Sequence, residues 1–222
     1  MKLPKICFSL LILAGLLLLS GCGTPFEPIT FVSGNLELIY HNTLSEEFAD
    51  SIGKKSAETA KENRDSYIEN AVAEIFAAYN REDPPAELEE KLTKAINHLY
   101  DAAKYEVTAA EETEQGYAVT VTAYPLLTYE TVINSEDSIT AMATATREQY
   151  LAGMSTVDIT DASLTVFCDT LNTALKEPTY GEAVAVKLRV TKDDDGYYAI
   201  NSEDLTQLEQ IMLYNQNTEK TE

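Results

Sequence analysis

The rhythm of hydrophobic positions changes several times along the chain. Residues 6–19 form an apolar run broken only by Ser9. From residue 28 the apolar side chains recur at helical spacing: Phe31, Val32, Leu36 and Ile39 predict a helix over 28–40, although 36–40 also fits a strand. Ser45 opens a short helical turn over 45–51, with Glu46 and Glu47 at its positive end. A long amphipathic helix follows over 55–80, with Ala57, Ala60, Arg64, Ile68, Ala71, Val72, Ile75, Phe76 and Tyr79 in register. Asp83-Pro84-Pro85 predicts an N-cap and the first positions of a helix over 85–102, whose stripe is Leu88, Leu92, Ala95, Ile96 and Leu99.

The period then falls to two. Tyr105, Val107 and Ala109 alternate with Glu106, Thr108 and Ala110. Beyond a turn at Gly116, Tyr117, Val119, Val121 and Ala123 alternate with Ala118, Thr120, Thr122 and Tyr124. This pattern predicts an antiparallel hairpin with an acidic tip at Glu111, Glu112 and Glu114, ended by Pro125. Residues 126–134 fit a further strand or an extended loop. Helical spacing returns from Ser135, a capping residue, to about Gly153, with Ile139, Met142, Ala143, Thr146 and Tyr150 on one face. A helix over about 159–177 carries Leu164, Phe167, Cys168, Leu171 and Leu175, and Pro178 and Gly181 stop it. Val184, Val186, Leu188 and Val190 alternate with Lys187, Arg189 and Thr191. A turn at Asp193-Asp194-Asp195-Gly196 leads into a return strand, and Ser202 caps a last helix bearing Leu205, Leu208, Ile211 and Met212.

Helices precede each hairpin, so the expected class is α+β: one antiparallel sheet of about four strands, made of two hairpins, with helices on one face. The span 29–214 reads as a single α+β domain. It also divides into two helix–hairpin modules, 29–134 and 135–214, each with Gly-Tyr opening its return strand, Gly116-Tyr117 and Gly196-Tyr197. Residues 215–222 are a polar tail.

The apolar run at 6–19 stands apart from this domain. Lys2 and Lys5 precede it, and it is short for a membrane-spanning helix but suited to the central region of a secretory signal. It ends in Leu19-Ser20-Gly21-Cys22, which resembles the lipobox of bacterial lipoproteins. The resemblance implies a signal peptide at 1–21, cleavage between Gly21 and Cys22, lipidation of Cys22 with a palmitate-type anchor, and a short lipidated tether over 22–28. It places the protein outside the cytoplasm, held to the cell membrane by acyl chains.

Composition sharpens this picture. The 222 residues include 16 Lys plus Arg against 37 Asp plus Glu, a formal charge of −21. Cleavage before Cys22 removes two lysines and no acid, leaving 201 residues with 14 cations to 37 acids, or −23. Nucleic acid is excluded as a partner, because affinity for its phosphates needs clustered cations. Cys7 leaves with the signal and Cys22 is acylated, so Cys168 is the one thiol left. It lies on an apolar helical stripe, and the expectation is a buried small hydrophobe.

A wider resemblance rests on the segments Val32-Ser33-Gly34-Asn35-Leu36-Glu37-Leu38-Ile39-Tyr40, Lys104-Tyr105-Glu106-Val107, Tyr117-Ala118-Val119-Thr120-Val121 and Asp195-Gly196-Tyr197-Tyr198-Ala199-Ile200-Asn201. Together they look like uncharacterised lipoproteins of Gram-positive Firmicutes, similar in layout to the cystatin-like or NTF2-like roll. The resemblance implies a curved sheet wrapped by helices, with room for a pocket between them, and transfers no functional residue.

The candidate chemistry is sparse. His41 and His98 have no metal-ligand spacing around them and each sits near a helix end, so no metal or cofactor is expected. The run 193–195 fails the calcium-loop pattern, since Thr191 and Ser202 occupy the positions that need Asp and Glu. Acid pairs such as Glu106 with Asp101 are not singled out by spacing, and no catalytic residue is assigned. The thirteen tyrosines, six of them (Tyr105, Tyr117, Tyr124, Tyr129, Tyr197 and Tyr198) on or beside predicted strands, suit either half-buried sheet positions or a surface for a protein, peptide or glycan. The expected function is therefore a non-enzymatic binding or accessory lipoprotein. The alternative is a small-molecule-binding or enzymatic pocket of the NTF2-like kind.

Overall fold

A computed structural model describes residues 26–215 apart from Ser135 and residues 194–196; the side chains of residues 54, 137–139, 141, 142 and 145 also fall outside the description. Helices α1 (Pro28–His41), α2 (Glu46–Ile52), α3 (Lys54–Ala78) and α4 (Ala86–Asp101) lead into strands β1 (Lys104–Thr113) and β2 (Gly116–Tyr124). Then come α5 (Leu127–Asn134), α6 (Glu136–Leu151), α7 (Thr156–Ala174), β3 (Val184–Lys192), β4 (Tyr198–Ile200) and α8 (Ser202–Tyr214). The four strands form one antiparallel sheet in the order β1-β2-β3-β4, so the class is α+β.

Alternation decides which face of the sheet is dry. Val119, Val121, Ala123, Val186, Leu188 and Val190 point inward and are buried, while Ala185, Lys187, Arg189 and Thr191 on the opposite face are exposed. Helices α1 and α8 lie against the inner face, and α3, α4 and α7 pack behind them. A single core cluster runs from Phe31 on α1 to Leu213 on α8, so the helices of both halves of the chain cover the same sheet.

Several elements start or turn differently from the pattern reading. α4 begins at Ala86 with Pro85 in extended backbone at its N-cap and no side-chain cap, because the second proline holds Pro84 out of helix and leaves Asp83 too early to reach a free N–H. In β1 the register shifts between Val107 and Ala109: a bulge at Thr108 turns Ala109 outward and Ala110 inward, breaking the strict alternation. Residues 127–134 are helical, neither strand nor loop. Leu126 N–H bonds to Met212 O at 2.7 Å and Leu127 N–H to Thr179 O at 2.9 Å, and the chain then buries Thr128 and Val132, four residues apart. α7 starts at Thr156, earlier than the expected 159, because Ser155 and Asp158 close a reciprocal capping box. α8 is capped by Asn201, whose side chain accepts from Glu203 and Asp204 N–H, and Ser202 is its first residue.

Two members of the stripe expected on α6 face solvent: Ala143 is exposed and Tyr150 is 72% exposed, whereas Thr146 is half-buried and hydrogen-bonded to Ser163 of α7. The side chains of Ile139 and Met142, the cap expected at Ser135, the turn 194–196, and Gly21 and Cys22 lie outside the described residues. No described helix is long and apolar enough to cross a membrane.

α1 and α2 meet at Gly34. A Cβ there would overlap the Phe48 ring, which is fully buried. Gly34→Ala is expected to destabilise the fold by about 1–3 kcal/mol through this overpacking, measured as a drop in the urea midpoint with unchanged slope; an unchanged midpoint would refute the contact.

Candidate functional site

Two polar constellations stand out. The first is inside the protein. Glu209 on α8 is 5% exposed and accepts hydrogen bonds from Tyr67 of α3 (2.8 Å to Oε2) and Tyr100 of α4 (2.9 Å to Oε1). The two phenol oxygens are 3.0 Å apart. Tyr100 also stacks on Tyr40 of α1 at 5.7 Å and is hydrogen-bonded to Tyr214 at the end of α8. Burial pushes the Glu209 carboxyl up to about 7, although both phenols favour its charged form. Burial and the facing carboxylate raise the phenols of Tyr67 and Tyr100 well above their ordinary value, so they remain donors.

The second lies on the surface. An open groove of about 730 Å³ runs between α4 and α7, with Pro178 and Tyr180 also in its lining. Lys91, Lys94 and His98 follow one another along α4 at spacings of three and four; Asp169, Asn172 and Thr173 face them from α7, and Lys176 lies just past its end. Lys91 is paired to Asp169 at 3.1 Å. Lys94 and Lys176 form no ion pair among the described residues, and Asn172 Oδ1 is buried without a hydrogen-bond partner. Tyr180 is part of the lining; its hydroxyl donates to Ala102 O at 2.8 Å, and the Lys104 ammonium sits over its ring at 5.2 Å.

The residues singled out in the sequence have other surroundings. His41 bridges α1 to the start of the sheet, with Nδ1 3.0 Å from Glu37 Oε2 and Nε2 3.0 Å from Ala103 O. It does not cap α1, which ends on Asn42 in the left-handed region at φ 49°. His98 lines the groove. Cys168 is fully buried, and burial pushes its thiol up to about 12, as a structural cysteine requires. Glu106 accepts from Tyr124 at 3.3 Å on the outer sheet face, while Asp101 lines the groove, so the two carboxylates serve different surroundings.

The strand tyrosines are largely engaged. Tyr105 donates to Glu37 at 2.9 Å and stacks on His41, and Tyr129 packs edge-on to Tyr214. Tyr117 and Tyr198 form an aromatic seat for Phe26, which stacks on Tyr198 at 3.6 Å. Tyr197 is half-buried. Among the described residues no three of His, Cys, Asp or Glu converge as metal ligands. Neither constellation was visible in the sequence. The lysines and Asn172 carry helical spacing, but nothing in one dimension says that α4 and α7 are neighbours.

Comparison with protein-family models, with characterised proteins and with solved structures finds no match to this chain.

The Glu209 carboxyl in the folded protein holds its proton up to about pH 7, whereas the unfolded chain releases it near 4.5. Between these values the folded state binds more protons, so stability falls as pH rises, by about 3 kcal/mol from this group alone. Glu209→Gln should flatten that part of the pH profile in urea unfolding. A variant whose profile runs parallel to wild type would sink the assignment.

Proposed function

We propose that this protein is a bacterial lipoprotein, acylated at Cys22 and displayed outside the cytoplasm, whose folded domain is a non-enzymatic binding module. The observation that carries the reading is the order of parts at the start of the chain: two lysines, the apolar run 6–19, Leu19-Ser20-Gly21-Cys22, and then Phe26 already seated on Tyr117 and Tyr198. Three residues separate Cys22 from Phe26, so the four steps between them reach about 14 Å at most, and an acylated Cys22 would hold the domain close to the bilayer. Two or more acyl chains give stable attachment without any basic surface, which suits a chain of this charge.

The binding reading draws support from the α4–α7 groove. It is open, mixed in polarity and large enough for a small organic ligand, and two of its lysines, Lys94 and Lys176, form no ion pair among the described residues. The inner face of the sheet, where an NTF2-like pocket would lie, carries buried apolar side chains.

The anchor is tested by growing cells with labelled palmitate and sequencing the mature N-terminus by mass spectrometry. The wild type is expected to carry label and to begin at a modified Cys22, and Cys22→Ala to carry none. An unlabelled wild type, or a mature chain beginning elsewhere, would overturn the reading.

A further inference from the structure

We propose that the end of the sheet where β2 begins is a lipid-facing surface, held at the headgroups of the protein's own bilayer because Phe26 clamps the acylated N-terminus into an aromatic seat. The inference deepens the lipoprotein reading and rests on it.

The seat is the first ground. Phe26 stacks on Tyr198 with ring centroids 3.6 Å apart and planes 7° apart, and it meets Tyr117 at 5.5 Å and Phe31 at 5.3 Å. Tyr117 belongs to β2, Tyr198 to β4 and Phe31 to α1, so one ring is held by two strands and a helix. Glu27 O then accepts from Phe31 N–H at 3.0 Å, and Pro28 opens α1. The chain is therefore tied to the domain from Phe26 onward.

The length of chain outside the seat is the second ground. Gly23, Thr24 and Pro25 are all that lies between Cys22 and Phe26, a reach of about 14 Å at most. The seat marks one end of the sheet. There Tyr117 pairs with Glu112, Gly116 pairs with Thr191, and Gln115 O accepts from Lys192 N–H at 3.1 Å. The other end lies the length of β2 away, about 27 Å at strand rise. A long flexible tether would let any side of the domain meet the bilayer. A tether this short, ending in a seated ring, selects one.

The surface around the seat is the third ground. Ile29, on the first turn of α1, is 40% exposed. An apolar side chain left in water beside the anchor gains by entering the boundary between headgroups and acyl chains. Glu27, Glu112, Glu114 and Asp193 are exposed at the same end and outnumber Lys192. Attraction between charges therefore does not supply the orientation; the lipid and the seat do. A second exposed apolar surface, formed by Tyr150, Leu151, Met154 and Val157, lies where α6 turns into α7. That helix pair is rooted at the opposite end of the sheet, where α5 follows β2 and Leu126 pairs with Tyr180. The anchor's reach from Phe26 falls short of that end, so this second surface is not the one set on the bilayer.

Fluorescence quenching by a nitroxide on the lipid headgroup tests the surface. The acylated protein in phosphatidylcholine nanodiscs carries bimane on one introduced thiol: Glu114→Cys at the lipid-facing end, Glu182→Cys at the opposite end, or Ala152→Cys between α6 and α7. All three positions are exposed, Cys168 is buried, and the lipid occupies Cys22. Bimane at position 114 is expected to be quenched at least about twofold more than at 182 or 152, since the length of β2 lifts the far end away from the headgroups. Phe26→Ala should shrink that contrast at an unchanged circular dichroism spectrum. Insertion of about ten Gly and Ser residues after Gly23 leaves every described residue in place and should shrink it as well. Equal quenching at the three positions, or the strongest quenching at 152 or 182, would overturn the proposal. A contrast that survives both changes would overturn it too. The palmitate label is read on the same protein. An unlabelled chain removes the lipoprotein reading and this proposal with it, whereas a labelled chain without contrast removes the lipid-facing surface alone.

Discussion

A carboxyl group has been taken out of water at the point where α3, α4 and α8 meet, and the packing of the helical layer is organised around it. Glu209 belongs to the last helix; Tyr67 and Tyr100, which hold it, belong to the first half of the chain. Burying an acid with no cationic partner is costly unless its oxygens are hydrogen-bonded or it keeps its proton. Here two phenols supply donors, and the raised proton affinity reduces the charge that must be accommodated. Tyr100 also stacks on Tyr40, meets Tyr67 edge-on and is hydrogen-bonded to Tyr214, so aromatic packing and hydrogen bonding lock one arrangement of helices over the sheet.

Much of this was legible in one dimension. The apolar stripes of α1, α3, α4 and α7 and the alternation in β2 and β3 correspond to buried faces, because each element covers a continuous core and its period is imposed by geometry. What was not legible depends on contacts distant in sequence. The helix at Leu127–Asn134 is short and follows two hydrogen bonds to remote carbonyls. The bulge at Thr108 needs a partner strand before it has a meaning. Glu209 sits beside Leu208 as one more acid on a helix, and only the tertiary fold turns it inward toward Tyr67 and Tyr100. The tyrosines were the visible signal, but the strand residues attracted notice while the buried network uses helical ones.

The groove teaches a related lesson about net charge. A total of −21 suggests a uniformly acidic surface and argues against anionic partners as a class. The fold overrides that average locally by aligning one polar stripe of α4 with one of α7. The argument from charge against nucleic acid is one of quantity, since many phosphates need many cations.

The sheet has two free edges, and neither is a good template for another chain. β4 contributes three residues, and β1 is interrupted by its bulge and carries Lys104, Glu106, Glu111 and Glu112 along its length. Molecules confined to a membrane plane collide far more often than molecules in bulk solution, and their alignment favours edge-to-edge strand pairing. For copies anchored as proposed above, a blunt three-residue edge on one side and a bulged, charged edge on the other would let them crowd together while remaining individual particles.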